Sequence, residues 1–546
     1  MHNILESLPK FPFFSKIAEL KDTSFLEREA LTPKESRDLT LLPEEQYRFH
    51  FHAEKCMGCS SCVVACNEQN SNAPDIRWRK VAEVEWGDYP HTGRFFLSMA
   101  CNHCLEPSCM KGCPTNSYTK DPLTGIVVHN QNSCIGCQYC TWNCPYSAPL
   151  YSPDLGIVTK CNMCHERLSQ GDSPACVESC PVDAIEIEII NKEEWRRNKK
   201  NKNAPGLPDS SITESTTKIT LPKNTDFESI QSIEKREVRQ EHHHGSLISF
   251  LILSQLSVGV QILLNINQLI SVLGYRSESA GAFISGNGSD VLTYSVIASA
   301  FLSMFIALFH LGRPLRAFRA VSGFFHSWIS REIVFLSVFS FFAVIQAACT
   351  TNSIFPGFKS ETWGIVFGSL ASIFGIAGIF SSAKIYMVPA RPIWNTSTTI
   401  LRFFATTLML GSAALLSLMH LYGIDDKAAV NFLLVLCINT ALIQFGILLN
   451  LTSYDKRKRQ IEVMEGIFIL KKKYPGVFTA RIFTLIAGGL ILPALLEHLT
   501  AEKSFGNTSA GLIYSMFFLL LLSETAGRFL FFVTSIPKKM AGGFYS

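Results

Sequence analysis

Residues 134–145 read CIGCQYCTWNCP, and the spacing of their cysteines decides what the first half of the chain is. Cys134, Cys137 and Cys140 fall at intervals of three along one tight loop. Cys144 follows after three further residues, next to a proline. The spacing C-x2-C-x2-C-x3-C recurs at Cys56, Cys59, Cys62 and Cys66. Two further groups are Cys101, Cys104, Cys109, Cys113 (CNHCLEPSCMKGCP) and Cys161, Cys164, Cys176, Cys180, the latter pair also ending in Cys-Pro. Sixteen of the 18 cysteines therefore lie between Cys56 and Cys180, with Cys349 and Cys437 alone downstream.

Three closely spaced thiolates reach three corners of one iron–sulfur cube, and the fourth, pointing away, ligates a different cluster. Such groups work in pairs, so four groups predict four [4Fe–4S] clusters. Zinc sites also use C-x2-C pairs, but they call for neither a third cysteine two residues on nor a terminal Cys-Pro. The soluble part has no G-x-G-x-x-G, no P-loop and no evident flavin or pterin site. Four clusters and no other reactive centre suggest a wire. Tyr139, Trp142 and Tyr146 stand beside the cysteines, either shielding clusters or simply packing a core.

Working outward, the chain changes character near residue 245. Its 546 residues are 47% hydrophobic and only 17% charged, against roughly 25% charged in a typical soluble protein. Net charge is +4, too little to suggest a nucleic-acid partner. A helix needs about 20 mostly apolar residues to cross a bilayer, and eight stretches qualify: 247–272, 291–312, 332–350, 362–384, 399–422, 428–451, 479–500 and 511–535. The expected organisation is an extension (1–50), a cluster domain (51–190), a polar linker (191–245) and an eight-helix anchor (246–540). The linker carries His242, His243 and His244, read as a solvated juxtamembrane cluster rather than a metal site. The fold class expected is an α+β ferredoxin-like domain followed by an all-α transmembrane bundle.

Loop charge orients the anchor. Seventeen Lys and Arg, among them Arg313, Arg391, Arg402, Lys456, Arg481 and Lys538, fall on the face shared with the cluster domain. Four (Arg276, Lys359, Lys427, Lys503) fall on the other. This places the cluster domain on the cytoplasmic face of the inner membrane. The first 25 residues agree, having no apolar run of signal-peptide length and no Arg-Arg pair.

Ionisable residues within or at the rim of membrane spans are functional candidates. His310 ends the second span, Arg331 and Glu332 open the third, Arg391 follows the fourth, and Glu524 and Arg528 stand at i,i+4 in the eighth. Quinol oxidation releases two protons with two electrons, so it needs proton acceptors near a cluster. His310 and Glu332 meet that need on the cluster face. The competing reading is structural, with Glu332 paired to a nearby arginine and His310 merely interfacial. A haem wants facing histidines deep in the bilayer, whereas His310, His420 and His498 sit near span ends on different faces. No haem is expected.

The groups CNHCLEPSCMKGCP, CIGCQYCTWNCPYSAP and KCNMCHERL…PACVESCPVDAI resemble the four-cluster electron-transfer subunit of the dimethyl sulfoxide reductase family. FHLGRPLRAF, SREI, YMVPARPIWNT and ETAGRFLFF resemble that family's eight-helix anchor. The resemblance implies pairing of the first cysteine group with the fourth and of the second with the third. It implies menaquinol as electron donor, with His310 and Glu332 at its oxidation. Arg331, Arg391, Glu524 and Arg528, ionisable residues in or beside the spans, are the further candidates for its pocket. It also implies a separate molybdopterin catalytic subunit, since no such domain occurs here. The expected role is an electron-transfer and anchor chain joining the quinone pool to that subunit across membrane lipid. The alternative runs the same wire backwards, from a formate or sulfur-compound dehydrogenase to quinone.

Overall fold

The computed structural model describes residues 41–538 and 540, apart from 88, 198–206, 224, 226–229, 233–243, 273–286, 352–359, 424–425, 454–459 and 503–506. Most of the expected N-terminal extension, and His242 and His243, thus lie outside the described residues.

The strands in chain order are β1 (Glu45–His52), β2 (Lys80–Trp86), β3 (Gly93–Met99), β4 (Tyr118–Lys120), β5 (Val127–His129), β6 (Leu150–Ser152), β7 (Ile157–Thr159), β8 (Ile185–Asn191), β9 (Lys218–Thr220) and β10 (Gln231–Ser232). They form sheets β8-β1-β9 and β10-β2-β3, with hairpins β4-β5 and β6-β7. In β1, Tyr47, Phe49 and Phe51 alternate onto one face and enter the core. Gln46, Arg48 and His50 on the other face are also buried, since β1 is the central strand, with β8 antiparallel (Phe49↔Ile187) and β9 parallel (His50↔Lys218).

The segment read as a polar linker thus does part of the folding. β9 covers an open edge of β1, and β10 pairs with β2 (Gln231↔Glu85). Its Thr216 and Thr217 are buried, donating to the Asn102 carbonyl oxygen (2.9 Å) and to Asn102 Oδ1 (3.0 Å). Composition marks this stretch as linker because its apolar residues are few, but its buried hydroxyls find partners in the cysteine-rich domain in place of water.

Among the described residues, eight helices are long and apolar enough to cross a membrane, as the hydropathy predicts. They are α1 (Gly245–Val272), α2 (Asn287–Ala307), α3 (Trp328–Thr350), α4 (Glu361–Tyr386), α5 (Ser397–Leu421), α6 (Lys427–Ser453), α7 (from Pro475, through a π-helical turn at Ala487–Ile491, to Glu502) and α8 (Asn507–Val533). A short helix, Ile461–Lys472, joins α6 to α7. α1 and α5 cross where two glycines meet. A Cβ on Gly259 would lie 2.0 Å from the Thr407 carbonyl oxygen and 3.1 Å from the Gly411 Cα, so only bare backbone fits.

The ends of α2 and α4 and the start of α3 meet the cysteine-rich domain. Between α2 and α3, Pro314–Gly323 forms a 3-10 helix. Gly312 donates to the Gly136 carbonyl oxygen (3.4 Å) and Arg313 to that of Ile135 (3.0 Å). Gly323 donates to Pro114 (2.9 Å), and Ser327 Oγ to the Gly112 carbonyl oxygen (2.8 Å). A Cβ on Gly312 would stand 2.2 Å from the Gly156 carbonyl oxygen, so the domain and anchor touch backbone to backbone.

Candidate functional site

Chain folding brings the cysteines into four mixed sets. Cys56 faces Cys62, Cys180 and Cys59. Cys66 and Cys161 face Cys176, and Cys164 faces both Cys66 and Cys176. Cys104 and Cys109 face Cys101 and Cys144. Cys134, Cys137 and Cys140 face Cys113. Each set takes three thiols from one group and one from another, pairing the first group with the fourth and the second with the third. Two of the sets line small hollows: one holds Cys101, Cys104, Cys109 and Cys144, the other Cys56, Cys59, Cys62 and Cys180.

None of the 18 cysteines forms a disulfide. Tetrahedral zinc at a Zn–S distance of about 2.3 Å would bring its sulfurs to about 3.8 Å. Among the described residues, only His50, His52 and Glu186 bring three such ligand atoms within 4.8 Å of one another. The sulfurs of each set are therefore spaced too widely for one zinc and suit a larger cluster. Burial pushes up the thiols of Cys66 and Cys137, to about 12, and of Cys144, to about 11. A buried thiol held neutral in this way becomes a ligand when metal replaces its proton.

Buried cations stand among the sets. Arg79, 2% exposed, faces Cys62, Cys66, Cys161 and Cys176, donates to Ser98 Oγ (3.0 Å) and lies over Phe49. Lys160 is buried and donates to the carbonyl oxygens of Val127 and Cys161. His103 Nδ1 accepts from the Val127 N–H (3.1 Å), which leaves the proton on Nε2, 3.9 Å from Cys161 Sγ. Burial, together with nearby Lys160, Lys120 and Arg79, holds that imidazole neutral.

The set of Cys113, Cys134, Cys137 and Cys140 lies against the anchor. Tyr139, between two of these cysteines, donates to the Ile385 carbonyl oxygen at the end of α4 (2.8 Å). Trp142 joins the membrane core, with ring centroids 5.4 Å from Trp394, 6.0 Å from Tyr386 and 5.5 Å from His244. Tyr146 stays in the core of the soluble domain.

Glu332 is buried in α3, close to Ser382, Tyr386 and Tyr139. Its Oε1 has no hydrogen-bond partner, and among the described residues it makes no ion pair. His310 is half-buried, its Nδ1 is without a partner, and it faces His244. The two residues share no hydrogen bond among the described ones; Glu332 borders Tyr139 and Tyr386, whereas His310 faces His244, whose ring centroid lies 5.5 Å from that of Trp142. Arg331 instead caps the preceding loop, donating to the carbonyl oxygens of Phe324 (3.1 Å) and Phe325 (2.7 Å) over Trp328. Arg391 is buried and donates to the Ser535 carbonyl oxygen (3.0 Å), tying the segment after α8 to the α4–α5 connection.

Glu524 and Arg528 meet through a third residue rather than pairing directly. Glu524 Oε2 accepts from Thr406 Oγ1 (2.5 Å) and Gln444 Nε2 (3.3 Å). Arg528 donates to Gln255 Oε1 (2.9 Å) and Thr406 Oγ1 (3.4 Å), its guanidinium 3.9 Å from the Phe403 ring centroid. Neighbouring helices offer these side chains closer partners than their own helix does. Sequence reading missed Arg79, whose role appears only when strands β2 and β3 place it between cysteine groups. It also counted Arg402 and Arg481 as loop charges, whereas both lie inside helices, in α5 and α7.

Residues 93–189 match the family described as a 4Fe-4S dicluster domain, and residues 239–533 match the DMSO reductase anchor subunit. Over 179 residues the protein is 35% identical to a subunit of the anaerobic dimethyl sulfoxide reductase of Haemophilus influenzae, a match covering 31% of this sequence and 86% of that one. It is 37% identical over 155 residues to the subunit of the same name from Escherichia coli K12, 27% of this sequence and 75% of that one. A thiosulfate reductase electron transfer subunit from Salmonella typhi is 35% identical over 156 residues, 28% of this sequence and 80% of that one. The cysteine-rich domain and the eight-helix bundle, continuous in one polypeptide, thus belong to the dimethyl sulfoxide reductase family as a fusion of its iron–sulfur electron-transfer part and its membrane anchor.

Proposed function

We propose that this chain oxidises menaquinol in its anchor and passes the electrons through four [4Fe–4S] clusters to a separate molybdopterin subunit. The observation that carries this reading is the position of Cys113, Cys134, Cys137 and Cys140 directly above Tyr139 and Trp142, which pack against Tyr386 beside Glu332. The sixteen cysteines, in the four sets described, are the proposed ligands. Clusters held by these cysteines would supply one-electron steps.

The protein's own residues handle the protons. Quinol loses two electrons and two protons. Glu332, with a free carboxylate oxygen in an apolar setting, is poised to accept one hydroxyl proton. His310, with a free Nδ1, is poised to accept or orient the other. Tyr386 and Ser382 stand beside the carboxylate. Water is excluded by the aromatic group around Trp142. Arg391, Glu524 and Arg528 act in this reading as scaffold for the neighbouring helices. The loop charges support a cytoplasmic position for the cluster domain. Protons would leave on that same face, so no charge is moved across the membrane by the chain itself.

The test uses the complete complex in membranes. A menaquinol analogue is added and cluster reduction is followed by EPR, comparing native protein with His310→Ala and Glu332→Gln. Native clusters should reduce, and loss of a proton acceptor should slow the step by about 10²–10⁴-fold. Clusters that stay oxidised with quinol but fill from the partner's substrate would reverse the direction. Proton release on the opposite face would refute the one-face scheme.

A further inference from the structure

A second cavity, of about 300 Å³, lies among α5, α6, α7 and α8, at the end of the bundle that carries the cysteine-rich domain. Arg402 and Arg481 line it, with Thr396 just before α5, Thr399 in the first turn of α5, Asn450 in the last turn of α6, and leucine and isoleucine side chains along its wall. Glu332, Ser382, Tyr386 and Tyr139 do not line it; Trp394, whose ring centroid is 5.3 Å from that of Tyr386, stands between the two regions.

Its charge is unbalanced. Arg481 is 2% exposed, and the Nε atoms of both Arg402 and Arg481 are buried without a partner. Neither guanidinium hydrogen-bonds to a described residue. Arg402 has Arg481, Arg528 and Glu524 as its charged neighbours. One carboxylate therefore faces three guanidiniums, and that carboxylate is held by Thr406 and Gln444. Two unpaired guanidiniums in a membrane bundle are costly unless an anion joins them.

The local backbone favours the same partner. Helices α5 and α7 both begin at this end, so their N-terminal amide dipoles point positive charge toward the cavity mouth. Arg402 and Arg481 follow their helix starts by five and six residues, about 8–9 Å along the axis. Arg481 packs over Gly527 of α8, where a Cβ would lie 2.7 Å from its Cζ, and both arginines have Glu524 as a charged neighbour, so the two guanidiniums sit inside the bundle about two turns from its end. The rest of the cavity wall is largely apolar.

We propose that this cavity binds one anionic phospholipid, its phosphate held by Arg402 and Arg481 and an acyl chain lying along the Ile447, Leu448 and Leu451 wall. A quinol is neutral and would leave both charges unbalanced. A free phosphate would satisfy the arginines and leave the apolar wall unfilled.

The test takes the intact complex, delipidated in a neutral detergent, and reads thermal unfolding of the anchor against added ligand. Phosphatidylglycerol, phosphatidylcholine, inorganic phosphate and a menaquinol analogue are compared on native protein, Arg402→Met and Arg481→Met. Phosphatidylglycerol should stabilise native protein at concentrations at least tenfold below those needed for phosphatidylcholine, and each variant should lose that difference. Without lipid the variants should unfold no lower than native protein, since each removes an unpaired charge. A lower lipid-free unfolding temperature in both variants would assign the arginines a structural role and overturn the proposal. Equal protection by the two lipids, or protection by inorganic phosphate or the menaquinol analogue alone, would overturn it as well. Visible absorbance of the iron–sulfur domain checks that every variant is folded.

Discussion

Replacing Arg79 by glutamine removes one buried positive charge from between two cysteine sets while keeping a donor for Ser98. Arg79 Nη1 lies 3.0 Å from Ser98 Oγ, and Cys62 Sγ lies 3.7 Å from the same oxygen. Those two legs keep the guanidinium within about 7 Å of the Cys62 sulfur, where one charge pair at an effective dielectric of about 20 interacts by about 2 kcal/mol. An electron added to a cluster there would lose that attraction, a fall in potential of roughly 100 mV. The two sets that Arg79 faces, those of Cys62 and of Cys66, Cys161 and Cys176, should both move down. The sets nearer the membrane should hold their values. Redox titration followed by EPR reads all of them in one preparation, and iron content checks that none is lost. Arg79→Lys keeps the charge and should stay close to native. A shift below about 20 mV, an upward shift, or an equal fall in Arg79→Lys would refute the electrostatic reasoning, because the expected fall depends on charge and not on shape.

Gly312→Ala should loosen the domain from the anchor, since its Cβ would press into the Gly156 backbone; proteolysis within 191–245 should quicken at unchanged iron content. Thr406→Val strips a shared partner from Glu524 and Arg528 and should cost about 1–3 kcal/mol, read as a lower unfolding temperature of the anchor. Removing the clusters with chelator and oxidant should unfold the cysteine-rich domain, whose sheets have only two or three strands each, and leave the helical signal of the anchor. Retention of native near-UV circular dichroism by the cluster-free domain would refute that dependence.

The cysteine groups and the eight apolar stretches were legible because each is a local pattern. Cys134 to Cys144 announce their chemistry by spacing alone, and 20 apolar residues announce a span by length. What joins the two parts was not legible. Nothing local marks Gly136, Gly156 and Gly312 as one contact, since the three come from separate loops. Trp142 was read as packing or shielding, and only the folded chain shows that it packs into the membrane core. β9 and β10 are three and two residues long, too short for alternation to stand out from a polar segment. Arg402 and Arg481 passed for loop charges because the position of a side chain within a bundle depends on its neighbours. The i,i+4 spacing of Glu524 and Arg528 was a poor guide to their partners for a related reason: Thr406, Gln444 and Gln255, on three other helices, take their hydrogen bonds.

The cysteine sets differ in how open they are to the surroundings. Cys59 is exposed, with Met57 and Val64 exposed beside it, whereas Cys134 and Cys140 are buried where the domain meets the anchor. A dissolved oxidant therefore has one ready port of attack, at the outer terminal of the series. Air damage should begin there and work inward, and whatever docks over Cys59 would act as insulation for the whole conductor.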